Sequence, residues 1–177
     1  MGNVTTVQPV LLFLAAVSRY PAALDWARRT SAGSWGPVAL ASDPFAFVET
    51  DYYESSMGTD LVKCFFAYQR LVDPNCLPSV KRQTNAWEAQ YAAASDHAES
   101  RPLNLDPGYV TPAKLVLAST KDHAHRVYLG EGIYAEVTLN WRQRRWQHQS
   151  WTYPDYRRED YQAFFSLCRD ELRCRER

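Results

Sequence analysis

From Pro9 to Val17 apolar side chains fill both parities of the chain, the pattern of a strand buried on its two faces. A helix follows in "YPAALDWARRTSAG": Pro21 suits a first helical turn, Leu24 and Ala27 fall on one side, and Gly33 ends the pattern. "GPVALASDPFAFVE" predicts a second strand, interrupted at Asp43-Pro44. In "LVKCFFAYQRLVD" the residues Val62, Cys64, Phe66 and Tyr68 alternate with Lys63, Phe65 and Ala67, which predicts a strand, with a helix as the competing reading. Asp73-Pro74-Asn75 is a turn signal. "PSVKRQTNAWEAQYAAAS" then has a helical composition, with Val80, Trp87 and Tyr91 partly sharing a face, and "SDHAESRP" reads as a loop.

The second half begins with "LNL", a short strand expected to end at the turn Asp106-Pro107-Gly108. Thr111-Pro112 reads as an N-cap and a first-turn proline, so a helix is expected with Ala113, Val116 and Leu117 facing the core. "HRVYLGEGIYAEVTLNW" predicts a hairpin closed at Gly130-Glu131-Gly132, and a further strand returns over about Arg145 to Trp151. The closing "YPDYRREDYQAFFSLCRDELR" is an amphipathic helix with Tyr161, Phe164, Phe165 and Cys168 inward. The element order is therefore βαββαβ, as in a ferredoxin-like unit, followed by an αβββα extension. The expected fold is α+β, with a mixed or mainly antiparallel sheet and helices mostly on one face, in one domain over 1–177.

Composition adjusts this picture only slightly. Hydrophobic residues make up 46% of the chain and charged residues 23%, an ordinary globular balance. Twenty acids offset twenty bases, so no net field draws the chain to nucleic acid or to anionic lipid, and neither is expected as a partner. The cluster Arg142, Arg144 and Arg145, flanked by Trp141 and Trp146, is the one stretch that keeps base stacking open. Cys64, Cys76, Cys168 and Cys174 form no C-x-x-C pair, which suits reduced thiols in a cytoplasmic protein better than a zinc site. The apolar run Val10 to Val17 is too short to span a bilayer.

Several segments together, "TDYYESSMG", "RLVDP", "TNAWE", "NLDPGYVTPAKLVLASTKDHAHRVYLGEGIYAEVTL" and "WTYPDYR", resemble an uncharacterised prokaryotic family known as a domain of unknown function. The resemblance runs through nearly the whole chain and implies no established activity. Some members of that family carry the label "GTP-binding protein". No glycine of this sequence begins the G-x-x-x-x-G-K-[ST] pattern that surrounds phosphates, and Thr120-Lys121-Asp122 lacks the spacing of a guanine-reading [NT]-K-x-D. Gly130-x-Gly132 leads into a strand and so is no dinucleotide fingerprint.

Candidate chemistry concentrates in the middle of the chain. Free amides at a helix start near Thr111, just after Asp106-Pro107-Gly108-Tyr109, would favour an anion, with Lys114, Lys121 and Arg126 supplying positive charge. The competing reading is a turn and a cap with no ligand. Asp51, Glu54, Asp106, His125 and Glu136 could hold a divalent metal or move protons. A hairpin symmetric about Glu131 sets Arg126 opposite Glu136, so that carboxylate has a structural role available as an ion-pair partner. His123 and His125, two apart, would share one face of a strand and Arg126 the other. Tyr52, Tyr53, Tyr109, Tyr128, Tyr134, Tyr153 and Tyr156 offer flat faces with a hydroxyl, suited to a ligand ring or a sugar, or simply to a core and its rim.

The expected ligand-binding set is Asp51, Tyr53, Asn104, Asp106, Tyr109, Lys114, Lys121, His125 and Glu136, around a small anionic or nucleotide-like molecule. A metal-assisted or acid–base enzyme is the alternative, and an interaction module using the aromatic hairpin is a third. The sequence leaves the substrate, any cofactor and the oligomeric state open.

Overall fold

The structure is a computed structural model and describes residues 2–3 and 5–175. Nine strands form one sheet: β1 (Val10–Ser18), β2 (Val38–Ala41), β3 (Phe45–Ala46), β4 (Val62–Val72), β5 (Asn104–Val110), β6 (Lys114–Ser119), β7 (Val127–Gly130), β8 (Ile133–Arg142) and β9 (Arg145–His148). The helices are α1 (Pro21–Trp35), the single turn α2 (Glu54–Met57), α3 (Leu77–Ala94) and α4 (Glu159–Arg175). The strand order is β2-β4-β1-β5-β6-β8-β7, with β3 beside β4 and β9 beside β8. Every one of these pairings is antiparallel. The α+β class and the mainly antiparallel sheet expected from the sequence are both present, and the first half keeps the βαββαβ order once the split of β2 and β3 at Asp43-Pro44 is allowed for.

The unbroken apolar run of β1 has a direct cause. Leu11, Phe13 and Ala15 meet Phe164, Phe165, Cys168 and Leu172 of α4 on one face. Leu12, Leu14 and Ala16 meet Ala23, Leu24 and Ala27 of α1 and Val80, Trp87 and Tyr91 of α3 on the other. Two helices thus cover one face and α4 covers the other, and each fully buried Leu or Phe contributes roughly 2 kcal/mol. All four cysteines are unpaired, and Cys64 and Cys168 are buried.

The extension departs from expectation at its start. Asp106-Pro107-Gly108 is not a turn, because β5 runs straight through it to Val110. No helix begins at Thr111, and the segment expected to form it is strand β6. The cap chemistry of Thr111 is nevertheless real. Its Oγ1 accepts from the N–H groups of Ala113 at 3.1 Å and Lys114 at 3.0 Å, and its own N–H donates to the Lys114 carbonyl at 2.8 Å. The threonine closes a tight β5–β6 hairpin instead of opening a helix. Gly108 is needed for a different reason than a turn: a Cβ there would lie 2.4 Å from the Val116 carbonyl and 2.7 Å from the Phe13 ring.

One irregularity of the sheet creates a hollow. β5 stays in register with β1 as far as Asn104↔Val17, but its register with β6 covers only Gly108↔Leu117 to Val110↔Leu115. Beyond that point β6 follows β8 to Ser119↔Tyr134. The two strands part at Pro107, a residue with no N–H to leave unpaired.

Candidate functional site

The cavity at this parting holds about 440 Å³, within the range of small-molecule sites. Its floor and walls come from β4, α3, β5, β6, β8 and the turn Pro154–Arg157, while the segment between β3 and β4 lies over it with Phe47, Tyr52 and Tyr53.

At the floor, Lys63 is the one charged residue in the buried stretch of β4 and is 4% exposed. Its ammonium donates to Asp155 Oδ2 at 2.5 Å and lies 4.6 Å from the Tyr156 ring centroid. Beside it, α3 presents Lys81, Asn85 and Glu88, whose spacing sets them on one helical stripe. Lys81 donates to Asp106 Oδ1 and to the Leu105 carbonyl, both at 2.9 Å, and Glu88 accepts from the Leu105 N–H at 2.7 Å. Both backbone groups of Leu105, left without β6, are therefore satisfied by α3 side chains. Asn104 donates to Asp106 Oδ2 at 2.7 Å and accepts from Arg101, which also pairs with Glu88 at 2.9 Å. Burial alone would raise the Asp106 carboxyl, but the charge and hydrogen bond of Lys81, helped by Lys63 and Asn104, hold it down at about 2. Its side chain keeps 30% of its exposure because the exposed atoms face the cavity.

On the far wall, Glu136 is 1% exposed and accepts from Arg126 Nε at 2.9 Å. Arg126 also donates to Ser119 Oγ at 2.7 Å, the Lys121 carbonyl at 3.0 Å and Tyr153 Oη at 2.6 Å. At the exposed rim, Lys121 donates to Tyr52 Oη at 3.0 Å and lowers the affinity of that phenol for its proton. Lys121 makes no salt bridge among the described residues.

Of the residues singled out in the sequence, Tyr53, Asn104, Asp106, Lys121 and Glu136 come together on this cavity. Tyr52, His123, Arg126, Tyr153 and Tyr156 also line it, whereas Asp51, Tyr109, Lys114 and His125 do not. Asp51 is exposed, with its carbonyl bonded to the Glu54 N–H, and Lys114 is exposed opposite Asn140. Tyr109 packs with Val116, Ala118 and Ile133 elsewhere on the sheet. His123 and His125 lie in the loop before β7, not in a strand, so the expected division of faces does not hold. His125 stacks on Trp151 at 5.3 Å beside a shallow depression, and its Nε2 lies 3.1 Å from Glu136. The Arg126–Glu136 pair read from the hairpin register is present.

Sequence reasoning did not single out Lys63, Lys81, Arg101 or Asp155 as site residues. Two signals were available: a lone lysine inside an otherwise apolar strand, and the polar stripe Lys81-Asn85-Glu88 on a helix read for its apolar face. Among the described residues, no group of three or more His, Cys, Asp and Glu is placed to hold a metal ion, and no helix is long and apolar enough to cross a membrane.

A family model decides the relationship of this chain to others, matching residues 8–172. The chain belongs to the family described as Domain of unknown function (DUF4416). No curated protein and no solved structure matches it.

Proposed function

We propose that this DUF4416 member binds a small anionic ligand in the cavity between β5 and β6. One observation carries the reading: five cationic side chains, Lys63, Lys81, Arg101, Lys121 and Arg126, converge there, and the wall carboxylates do not match them all. Glu49 is engaged from outside by Arg158 at 2.7 Å. Asp155, Asp106 and Glu136 are matched to Lys63, Lys81 and Arg126, and Arg101 is matched to Glu88 behind the wall. The surplus positive charge collects at the rim around Lys121, where an incoming anion would arrive first. Tyr52, Tyr53 and Phe47 add flat apolar faces, so a ring-bearing anion such as a nucleotide suits the same space.

The test is a thermal-shift screen against nucleotides, phosphorylated metabolites and small carboxylates, followed by calorimetry. At least one anion should raise Tm, and Lys121→Ala should weaken its binding about tenfold while leaving the unliganded melt nearly unchanged, because the side chain is exposed. A cleanly melting protein that no anion shifts would remove the reading.

A further inference from the structure

We infer that the cavity selects an anion carrying a planar amide-type group, either a nucleobase or a free heterocyclic carboxylate, and that Asn85 reads the donor–acceptor edge of that group. This rests on the anion-binding reading and extends it from charge to ligand class.

The cations inside the cavity are already committed. Lys63 is bonded to Asp155, Lys81 to Asp106, Arg101 to Glu88 and Arg126 to Glu136. Most neutral groups are committed as well. Asn104 donates to Asp106 and accepts from Arg101, and Ser119 Oγ accepts from Arg126 and from the Lys121 N–H. Asn85 and Tyr53 are different. Neither the Asn85 carboxamide nor Tyr53 Oη makes a hydrogen bond among the described residues, yet both residues line the cavity. Both are only half-buried and their polar atoms keep accessible surface, so neither group is closed into the core. Asn85 lies on α3 between Lys81 and Glu88, which hold the two backbone groups of Leu105, so it stands against the stretch of β5 that β6 has left. Burial, and after it the charge of Asp106, raise the affinity of the Tyr53 phenol for its proton, which keeps it a neutral donor.

A carboxamide presents an N–H donor and a carbonyl acceptor side by side in one plane. The ligand group that meets both at once holds the complementary pair in one plane, as an amide or the edge of a nucleobase does. A single alcohol meets one of them and a hydrocarbon neither, and each unmet polar group costs binding. A planar group also fits what lies over the cavity, where Phe47 and Tyr53, with ring centroids 5.8 Å apart, present flat faces. The 440 Å³ chamber has room for a heterocycle against Asn85 with its anionic group toward Lys121.

Calorimetry on the full-length protein compares two matched pairs: uridine 5′-phosphate with ribose 5-phosphate, and orotate with benzoate. In at least one pair the first member should bind at least about tenfold tighter than the second, since it alone brings the amide edge, and the pair that does so identifies the source. Asn85→Leu should cancel that advantage, leave the weaker member within about twofold and not lower Tm, because the carboxamide holds no other part of the protein. If the members of both pairs bind equally, or if Asn85→Leu keeps the advantage, the amide assignment falls while anion binding stands. If none of the four probes binds but another anion of the screen does, the assignment falls alone; if no anion binds, both fall. Should Asn85→Leu fail to fold, Asn85→Ala takes its place with the same expected loss.

Discussion

The behaviour of the cavity turns on how individual charges are held. Asp106 illustrates this. Burial opposes its charge, yet Lys81 and Asn104 more than compensate, and the carboxyl titrates at about 2 instead of its ordinary 3.8. A depressed carboxyl stabilises the fold fully above its unfolded value, and the contribution disappears as pH falls through 3.8 toward 2. The shift corresponds to roughly 2 kcal/mol. Urea denaturation at pH 5, 3 and 2 should therefore show a steeper acid loss in the wild type than in Asp106→Asn; parallel losses would contradict the assignment. Only part of this was legible beforehand. Arg126 and Glu136 could be paired from hairpin register because they are ten residues apart around a short loop. Lys81 and Asp106 are joined by the docking of α3 on β5, which no local pattern encodes. Lys63 and Asp155, 92 residues apart, are beyond such reading for the same reason.

Elements were legible where hydrophobic periodicity was strong and misread where punctuation was strong. β1, α1, α3, the β7–β8 hairpin and α4 follow from their patterns. The segment Asp106 to Thr111 carries three turn-forming residues and a cap residue, and local propensity favours a turn and a helix there. Tertiary contacts override it. Gly108 serves the close approach of β5 to β6, Pro107 falls where β5 loses its neighbour, and Thr111 caps a hairpin. Gly108→Ala should consequently lower stability by about 3 kcal/mol, since both the Val116 backbone and the Phe13 ring would have to move. A chemical-denaturation midpoint unchanged from wild type would show that the strands can yield there.

At the scale of the whole molecule, rigidity is unevenly distributed. β1, β4 and β5 lie at the centre of the sheet, with apolar layers on both sides of β1. The segment 48–61 over the cavity is fixed by far less: Met57 and Leu61 are its only fully buried apolar residues, and much of the rest is exposed. Amide hydrogen exchange should be at least about a hundredfold faster in 48–61 than in β1 and β4. Uniform protection across the two regions would contradict this. Neutral overall charge means that attraction for an anion is confined to the rim and screened beyond roughly 10 Å in ordinary salt.

The parting of β5 from β6 also fixes one dimension of the chamber. Two sides of the chamber are main chain locked into ladders, β5 to β1 and β6 to β8. Side-chain rotation can enlarge the mouth but cannot move those sides. The width between β5 and β6 could grow only by unzipping strands inward from Pro107, so that dimension is fixed by hydrogen-bonded backbone, while the weakly held segment 48–61 leaves the height of the chamber adjustable.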